Sequence, residues 1–125
     1  MTKKEICQQY IQLLEKGATA QLIDLFTENA IVDSPIYGLM PASKFYRNLA
    51  SDTINSELKL LGIFEENDGD SIALYFNFKW TLKTNQLVDF DVVDIIKFDD
   101  QHKIIHLKII YDTVVARGLV KQLAS

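Results

Sequence analysis

The chain has 125 residues, of which 48% are hydrophobic and 24% are charged, and its formal net charge is -4. That length supports one well-filled core and is too short for two comfortable domains, so we expect residues 1–125 to form a single domain. The acidic balance and the scattered Lys and Arg residues argue against nucleic-acid binding and against a membrane-surface role, because phosphate contacts need clustered basic residues. No stretch approaches the length of a membrane-spanning helix, and we expect a cytoplasmic protein.

Cysteine and histidine are too few to indicate a metal site. The one cysteine, Cys7, excludes a disulfide within the chain, and the two histidines, His102 and His106, do not stand at zinc-ligand spacing. The sequence also has no glycine-rich phosphate-binding loop. We therefore expect neither a metal nor another cofactor.

The first half of the chain has the periodicity of amphipathic helices. Apolar residues at helical spacing predict a helix over 3–16, which begins at a capping box formed by Thr2 and Glu5. The same spacing predicts a short second helix over 19–28 and a third helix over 41–50.

The remainder of the chain has the period-two alternation of β-strands. A short strand over 30–34, followed by a loop, already separates the second helix from the third. The tail after Thr113 is predicted to be irregular or a short helix. From residue 57 onward, the alternation predicts antiparallel strands over 58–65, 72–82, 88–98 and 104–112.

The strand over 88–98 carries one acidic residue on an otherwise apolar face. An ionised carboxylate is costly in apolar surroundings, so Asp94 must find a partner, take up a proton or face a wet cavity. Asp94 is therefore a candidate site residue, although a solvated strand end or a cap on a neighbouring backbone N–H would also explain it. It shares this face with Val88, Phe90, Val92, Ile96 and Phe98.

These elements predict an α+β domain with three helices packed on one face of a strongly curved, mostly antiparallel sheet. Such a sheet leaves a cone-shaped pocket between the two layers. Tyr10, on the buried stripe of the first helix, brings a hydroxyl that needs a hydrogen-bond partner, and it joins Asp94 as a candidate catalytic residue. The expected ligand contacts are Ser34, Tyr46, Phe76, Phe78, Trp80 and Val92.

The chain resembles the nuclear-transport-factor-2-like superfamily, which includes the ketosteroid isomerases and the SnoaL-like polyketide cyclases. The resemblance lies in the order and spacing of two strings, QQYIQLLEKGATAQLIDLFTENAIVDSPIYG in the N-terminal half and DVVDIIKFDDQHKIIHLKIIYD in the closing hairpin. It extends over nearly the whole chain and implies a cone-shaped α+β barrel. It implies little about activity, because this fold hosts many unrelated functions.

By position, the isomerase pattern implies two hydrogen-bond donors and no base. Its oxyanion-hole tyrosine falls on Tyr10, and its oxyanion-hole aspartic acid falls on Asp94. In the isomerases that aspartic acid is the well-known case of an Asp kept neutral at pH 7 so that it can donate a hydrogen bond. Its general base falls on Ser34, which cannot accept an α-proton without a base beside it. Asp33 could substitute only if a bulge before Pro35 turned it inward. The pattern therefore argues against a ketosteroid isomerase proper.

Three interpretations of function remain open. The first is an isomerase, cyclase or hydrolyase that acts on a small hydrophobic carbonyl or phenolic compound, with Asp94 as acid or base and Tyr10 as hydrogen-bond donor. The second is a non-catalytic module that binds a small ligand or pairs with a second copy, since superfamily members resemble one another in forming dimers through the open sheet face. In the third, Asp94, Tyr10 and Ser34 are a structural polar cluster in a filled core. The residues expected on the open sheet face are Tyr75, Asn77, Lys79, Val93, Ile95, Ile104 and Ile110.

Overall fold

The computed structural model describes residues 1–123, apart from the side chains at 115 and 116. Its helices are α1 (Lys3–Lys16), α2 (Thr19–Ile23), α3 (Ala42–Ser51) and α4 (Val114–Leu123). Its strands are β1 (Phe26–Ser34), β2 (Gly38–Pro41), β3 (Thr53–Glu65), β4 (Ser71–Leu82), β5 (Leu87–Phe98) and β6 (Ile104–Ile110). None of the helices within the described residues has the length and apolarity that crossing a membrane requires.

Helix α1 has well-defined signals at both ends. The Thr2 hydroxyl accepts from the Glu5 backbone N–H, while the Glu5 carboxylate accepts from the Thr2 N–H, which completes the predicted capping box. At the other end, Gly17 adopts the left-handed conformation, with φ of 71°. The buried stripe of the helix, which includes Tyr10 and Leu14, therefore has a defined position against the sheet.

The strands form one sheet in the order β2-β1-β6-β5-β4-β3. All neighbours are antiparallel except β1 and β6, which run parallel. The predicted α+β class, with helices packed on a curved, mostly antiparallel sheet, is confirmed.

The predicted helix over 19–28 is wrong in its second half. Helix α2 ends at Ile23, and strand β1 begins at Phe26. The apolar residues of this segment are spaced as in a helix, yet the Leu25 carbonyl accepts from the Ile104 N–H at 3.0 Å, and Phe26 pairs with Ile104. Pairing with a strand far along the chain has overridden the local helical pattern.

Two other boundaries also differ from the sequence-based expectation. The segment after Pro35, predicted to be a loop, contains β2, which pairs antiparallel with β1. Strand β3 begins at Thr53 and not at 58, because its first residues pair with the end of β4 at Leu82. Both strands depend on a partner that the local sequence does not reveal. The tail forms the helix α4, which is one of the two alternatives expected for it.

One residue expected on the open face of the sheet lies in the core instead. Ile104 is 0% exposed, as is Leu107. A register shift places Lys97 opposite His106 but Phe98 opposite Ile104, so that the pairing skips Ile105. Both Ile104 and Leu107 consequently face inward, contrary to the simple alternation expected for this strand.

Candidate functional site

The site is a small cavity between the helices and the concave face of the sheet. Its volume is about 40 Å³, which is room for water and far less than the cavities of about 150 Å³ that accept benzene. The catalytic candidates and all the predicted ligand contacts lie around it. Its lining is Tyr10, Leu14, Ser34, Tyr37, Phe45, Tyr46, Leu49, Phe76, Phe78, Trp80, Phe90, Val92, Asp94, Ile109 and Tyr111.

Asp94 is held in the cavity wall by the register of the sheet. On β5 it pairs with Leu74 of β4 on one side and with Ile109 of β6 on the other. Its side chain is on the face predicted from the alternation, and it is 1% exposed. Its Oδ1 has no hydrogen-bond partner among the described residues. The sheet thus holds a carboxyl group with an unused acceptor at the wall of the cavity.

Burial dominates the ionisation of Asp94. Removal from water raises the pKa of this carboxyl to about 8, and a hydrogen-bonding interaction with Tyr10 lowers the pKa without cancelling that effect. Asp94 is therefore mainly a neutral carboxylic acid at pH 7, able to donate a hydrogen bond.

Tyr10 and Tyr46 bring two phenols to the same place from different helices. Tyr10 comes from α1 and Tyr46 from α3, and their hydroxyl oxygens lie 2.7 Å apart. Burial raises the pKa of both phenols well above the usual value, and the nearby Asp94 adds to that effect. Both therefore stay protonated, and the pair can pass a hydrogen bond on toward Asp94.

Ser34 lines the cavity but also has a structural task. Its Oγ accepts from the backbone N–H groups of Ile36 at 3.2 Å and Tyr37 at 3.3 Å, in the turn that follows β1. Asp33 is not in the cavity lining, since it faces away as strand alternation predicts and pairs with Lys108. The one irregularity in the pairing of β1 with β6 lies between Phe26 and Ile31, not before Pro35. Neither position therefore places a base in the cavity.

The aromatic wall predicted from β4 is present. Phe76, Phe78 and Trp80 face the cavity from this strand, and Val92 faces it from β5. The Trp80 indole N–H donates to the Thr53 hydroxyl at 2.8 Å, so the ring has a fixed orientation. Trp80 can therefore report on the cavity by its fluorescence.

Sequence reasoning missed several lining residues. Phe90 lies on the same strand face as Asp94, and the Tyr111 ring stacks on the Phe90 ring with centroids 4.5 Å apart. Strand alternation could have identified both residues. Tyr37 lies in the turn after β1, where its hydroxyl donates to Asp52 at 2.6 Å. No periodic signal marks that position. Among the described residues, no three His, Cys, Asp or Glu side chains are grouped so as to hold a metal ion.

No protein-family model and no curated protein matches the sequence, whereas solved structures match the fold. The epoxide hydrolase/cyclase-like enzyme SalBIII, reported for its role in pyran ring formation in the polyether salinomycin, is 17% identical with a TM-score of 0.77, covering 88% of this chain and 90% of that chain. An NTF2-like protein of unknown function from Cytophaga hutchinsonii is 17% identical with a TM-score of 0.74, covering 96% of both chains.

A second NTF2-like protein of unknown function, from an Exiguobacterium species, is 15% identical with a TM-score of 0.71, covering 89% of this chain and 98% of that chain. At such identities the likeness concerns the fold alone. The resemblance found in the sequence is confirmed at this level: the chain has the fold of the NTF2-like and SnoaL-like superfamily.

Proposed function

We propose that the protein takes a small apolar carbonyl or phenolic compound into the cavity beside Asp94, which widens to accept it, and that Asp94 is the acid-base group. The observation that carries this proposal is the buried Asp94 Oδ1 that has no partner among the described residues. A carboxyl whose only task was structural would normally have its hydrogen bonds satisfied inside the core. A ligand hydroxyl that donates to this oxygen, or a ligand oxygen that accepts a hydrogen bond from the protonated carboxyl, would complete its hydrogen bonding.

The reaction class that fits is an isomerisation, cyclisation or hydration/dehydration in which one group both gives and takes a proton. Asp94 is protonated at neutral pH, so it first acts as an acid toward a substrate oxygen. In the ring closure of an epoxy alcohol, the epoxide carbon–oxygen bond breaks as the epoxide oxygen receives the proton. A hydroxyl of the same substrate forms the new bond, and its proton returns to the Asp94 carboxylate.

Two further observations support this class. Tyr10 and Tyr46 add a donor next to the acid, suited to an oxygen that gains negative charge. The structural neighbour SalBIII is described as epoxide hydrolase/cyclase-like, which is chemistry of the same type. Ser34 supplies no base for α-proton abstraction, so ketosteroid isomerisation is not part of the proposal.

The experiment compares the parent with Asp94→Asn and Tyr10→Phe, using Asp100→Asn, in an exposed turn, as a matched control. A panel of enones, epoxy alcohols and planar phenols is screened for turnover and for saturable changes in Trp80 fluorescence. We expect Asp94→Asn to abolish turnover while circular dichroism stays unchanged. Turnover that survives in Asp94→Asn would rule out its role, and binding without turnover in the parent would leave a ligand-binding module.

A second proposal concerns the open face of the sheet, where we infer that a second copy packs. Along β5 this face presents Asp91, then Val93 and Ile95, then Lys97. This order is self-complementary. When two copies stack antiparallel, the acidic end of one strand lies against the basic end of the other and the two apolar centres meet. Ile110, which is 48% exposed, widens the apolar centre.

A cytoplasmic location also stays a prediction.

A further inference from the structure

The buried cavity is the last of three neighbouring spaces that lead inward from the surface. We call them the inner cavity, which contains Asp94; the middle cavity, which has a volume of about 40 Å³; and the outer vestibule, which has a volume of about 230 Å³. The vestibule lies between the end of α1, the end of α3 and the start of β3. The middle cavity lies between the vestibule and the inner cavity.

Shared walls show that the three spaces adjoin one another. The vestibule and the middle cavity have Gly17, Ala50, Thr53 and Ser56 in common. The middle and inner cavities share Leu14, Tyr46 and Leu49. These three side chains are the partition that separates Asp94 from the outer spaces.

Of the three partition residues, Leu49 is the least constrained. Tyr46 is 2% exposed and hydrogen-bonded to Tyr10, and Leu14 is buried on α1. Leu49 is only partly buried and carries no polar group. Its backbone carbonyl accepts from the Thr53 hydroxyl at 2.5 Å, so the helix end stays in place while the side chain changes rotamer.

We infer that Leu49 is the gate to the Asp94 site and that the ligand is elongated, occupying the inner and middle cavities together. This inference rests on the proposed function of Asp94. At about 40 Å³ the inner cavity alone cannot accept an aromatic ring. Displacement of the Leu49 side chain joins the inner cavity to the middle cavity, also about 40 Å³, and adds the space that the side chain vacates. Removal of one buried leucine side chain can by itself leave a cavity of about 150 Å³ that binds benzene, so the joined space has room for a ring.

The walls of the joined space indicate the chemistry of the ligand. The inner end offers the Asp94 acid and the Tyr10–Tyr46 pair, which suit a carbonyl or phenol oxygen. The far end carries the hydroxyls of Thr19, Thr53 and Ser56 among apolar residues. An uncharged, elongated compound with an oxygen function at each end matches both ends.

The first test needs no ligand, because Trp80 lies in the wall of the inner cavity and is the only tryptophan. Acrylamide quenching of its fluorescence is compared in the parent, Leu49→Ala and Leu49→Phe. The matched control is Leu25→Ala, a partly buried leucine that lines none of the three spaces. We expect Leu49→Ala to raise the quenching constant at least twofold, with no rise in Leu49→Phe or in the control.

The second test uses two phenols of different length, 4-nitrophenol and 4-hydroxy-4′-nitrobiphenyl, at a pH low enough to keep both un-ionised. Their binding is followed by stopped-flow fluorescence of Trp80. Leu49→Ala should speed association and dissociation of the longer phenol by about tenfold, and Leu49→Phe should slow both. Urea unfolding checks that each variant is folded.

The outcomes separate the two proposals. Equal quenching in Leu49→Ala and Leu25→Ala would overturn the gate, whether or not a phenol binds. If Leu49→Ala raises the quenching constant as expected but neither phenol binds, the elongated ligand and the proposed function are overturned. Only the gate then remains. Binding of both phenols at rates that Leu49→Ala does not change would overturn the gate while the Asp94 site stands.

Discussion

The hydroxyl of Tyr10 lies 2.7 Å from the hydroxyl of Tyr46, and this contact joins α1 to α3 across the top of the cavity. The two phenols are 1% and 2% exposed, so neither hydroxyl has water as a ready alternative partner. They satisfy each other, whereas Oδ1 of Asp94 beside them has no partner among the described residues. The two tyrosine hydroxyls are thus paired without a ligand, while Asp94 retains an unused acceptor for one.

The first prediction concerns the two tyrosines. Tyr10→Phe should destabilise the fold by roughly 1–3 kcal/mol, because it leaves the buried Tyr46 hydroxyl without its partner. Tyr46→Phe should cost a similar amount, and the double variant should cost much less than the sum. Urea unfolding of the four proteins measures this. Strict additivity of the two single effects would show that the hydroxyls are not coupled.

The second prediction is a pH dependence of stability that comes from Asp94. Its pKa is about 8 in the folded protein and near the ordinary aspartate value of 3.8 when unfolded, so between these values the folded state binds more protons than the unfolded state. Stability should therefore fall as pH rises from about 4 to 8, with a slope of at most about 1.4 kcal/mol per pH unit from this group. Asp94→Asn should remove that slope, and should be more stable than the parent at pH 8.

Asp100→Asn is the control, because Asp100 is an exposed turn residue and its removal should leave the slope in place. Urea unfolding at several pH values gives the comparison. A parent whose stability does not change between pH 5 and pH 8 would mean that Asp94 is ionised throughout and has found a charge partner.

The third prediction separates Ser34 from Asp94. Ser34→Ala removes the acceptor for the N–H groups of Ile36 and Tyr37, and should cost about 1 kcal/mol of stability. Its effect on the affinity for a phenol should be much smaller than that of Asp94→Asn. Unfolding and fluorescence titration on the same samples test both points. A large loss of affinity without a loss of stability would make Ser34 a primary ligand contact.

The fourth prediction concerns the open sheet face. Light scattering after size exclusion should give a dimer for the parent, and Val93→Asp should give a monomer because it places a charge in the apolar centre of that face. Leu39→Asp is the control, since Leu39 is 71% exposed on the edge strand β2, away from that centre. Added salt should weaken the dimer through the Asp91 and Lys97 ends. A monomeric parent at micromolar concentration would contradict the prediction.

The sequence by itself determined which side chains could share the interior. In β4 and β5, period-two alternation placed Phe76, Trp80 and Asp94 on the buried face, and the structure has them there. The helix α1 was equally predictable, since its capping box and its Gly17 stop are local signals. These features depend on a few neighbouring residues, which is why they can be read without the fold.

The tertiary structure alone decided which of those side chains meet. The Tyr10–Tyr46 contact joins residues 36 positions apart, and nothing in either helix specifies the distance between them. The strand β1 and the inward position of Ile104 depend on pairing between distant segments, which overrides local periodicity. The cavity volume and the Leu49 partition depend in turn on how the helices pack on the sheet, because packing sums many small contacts that no single stretch of sequence contains.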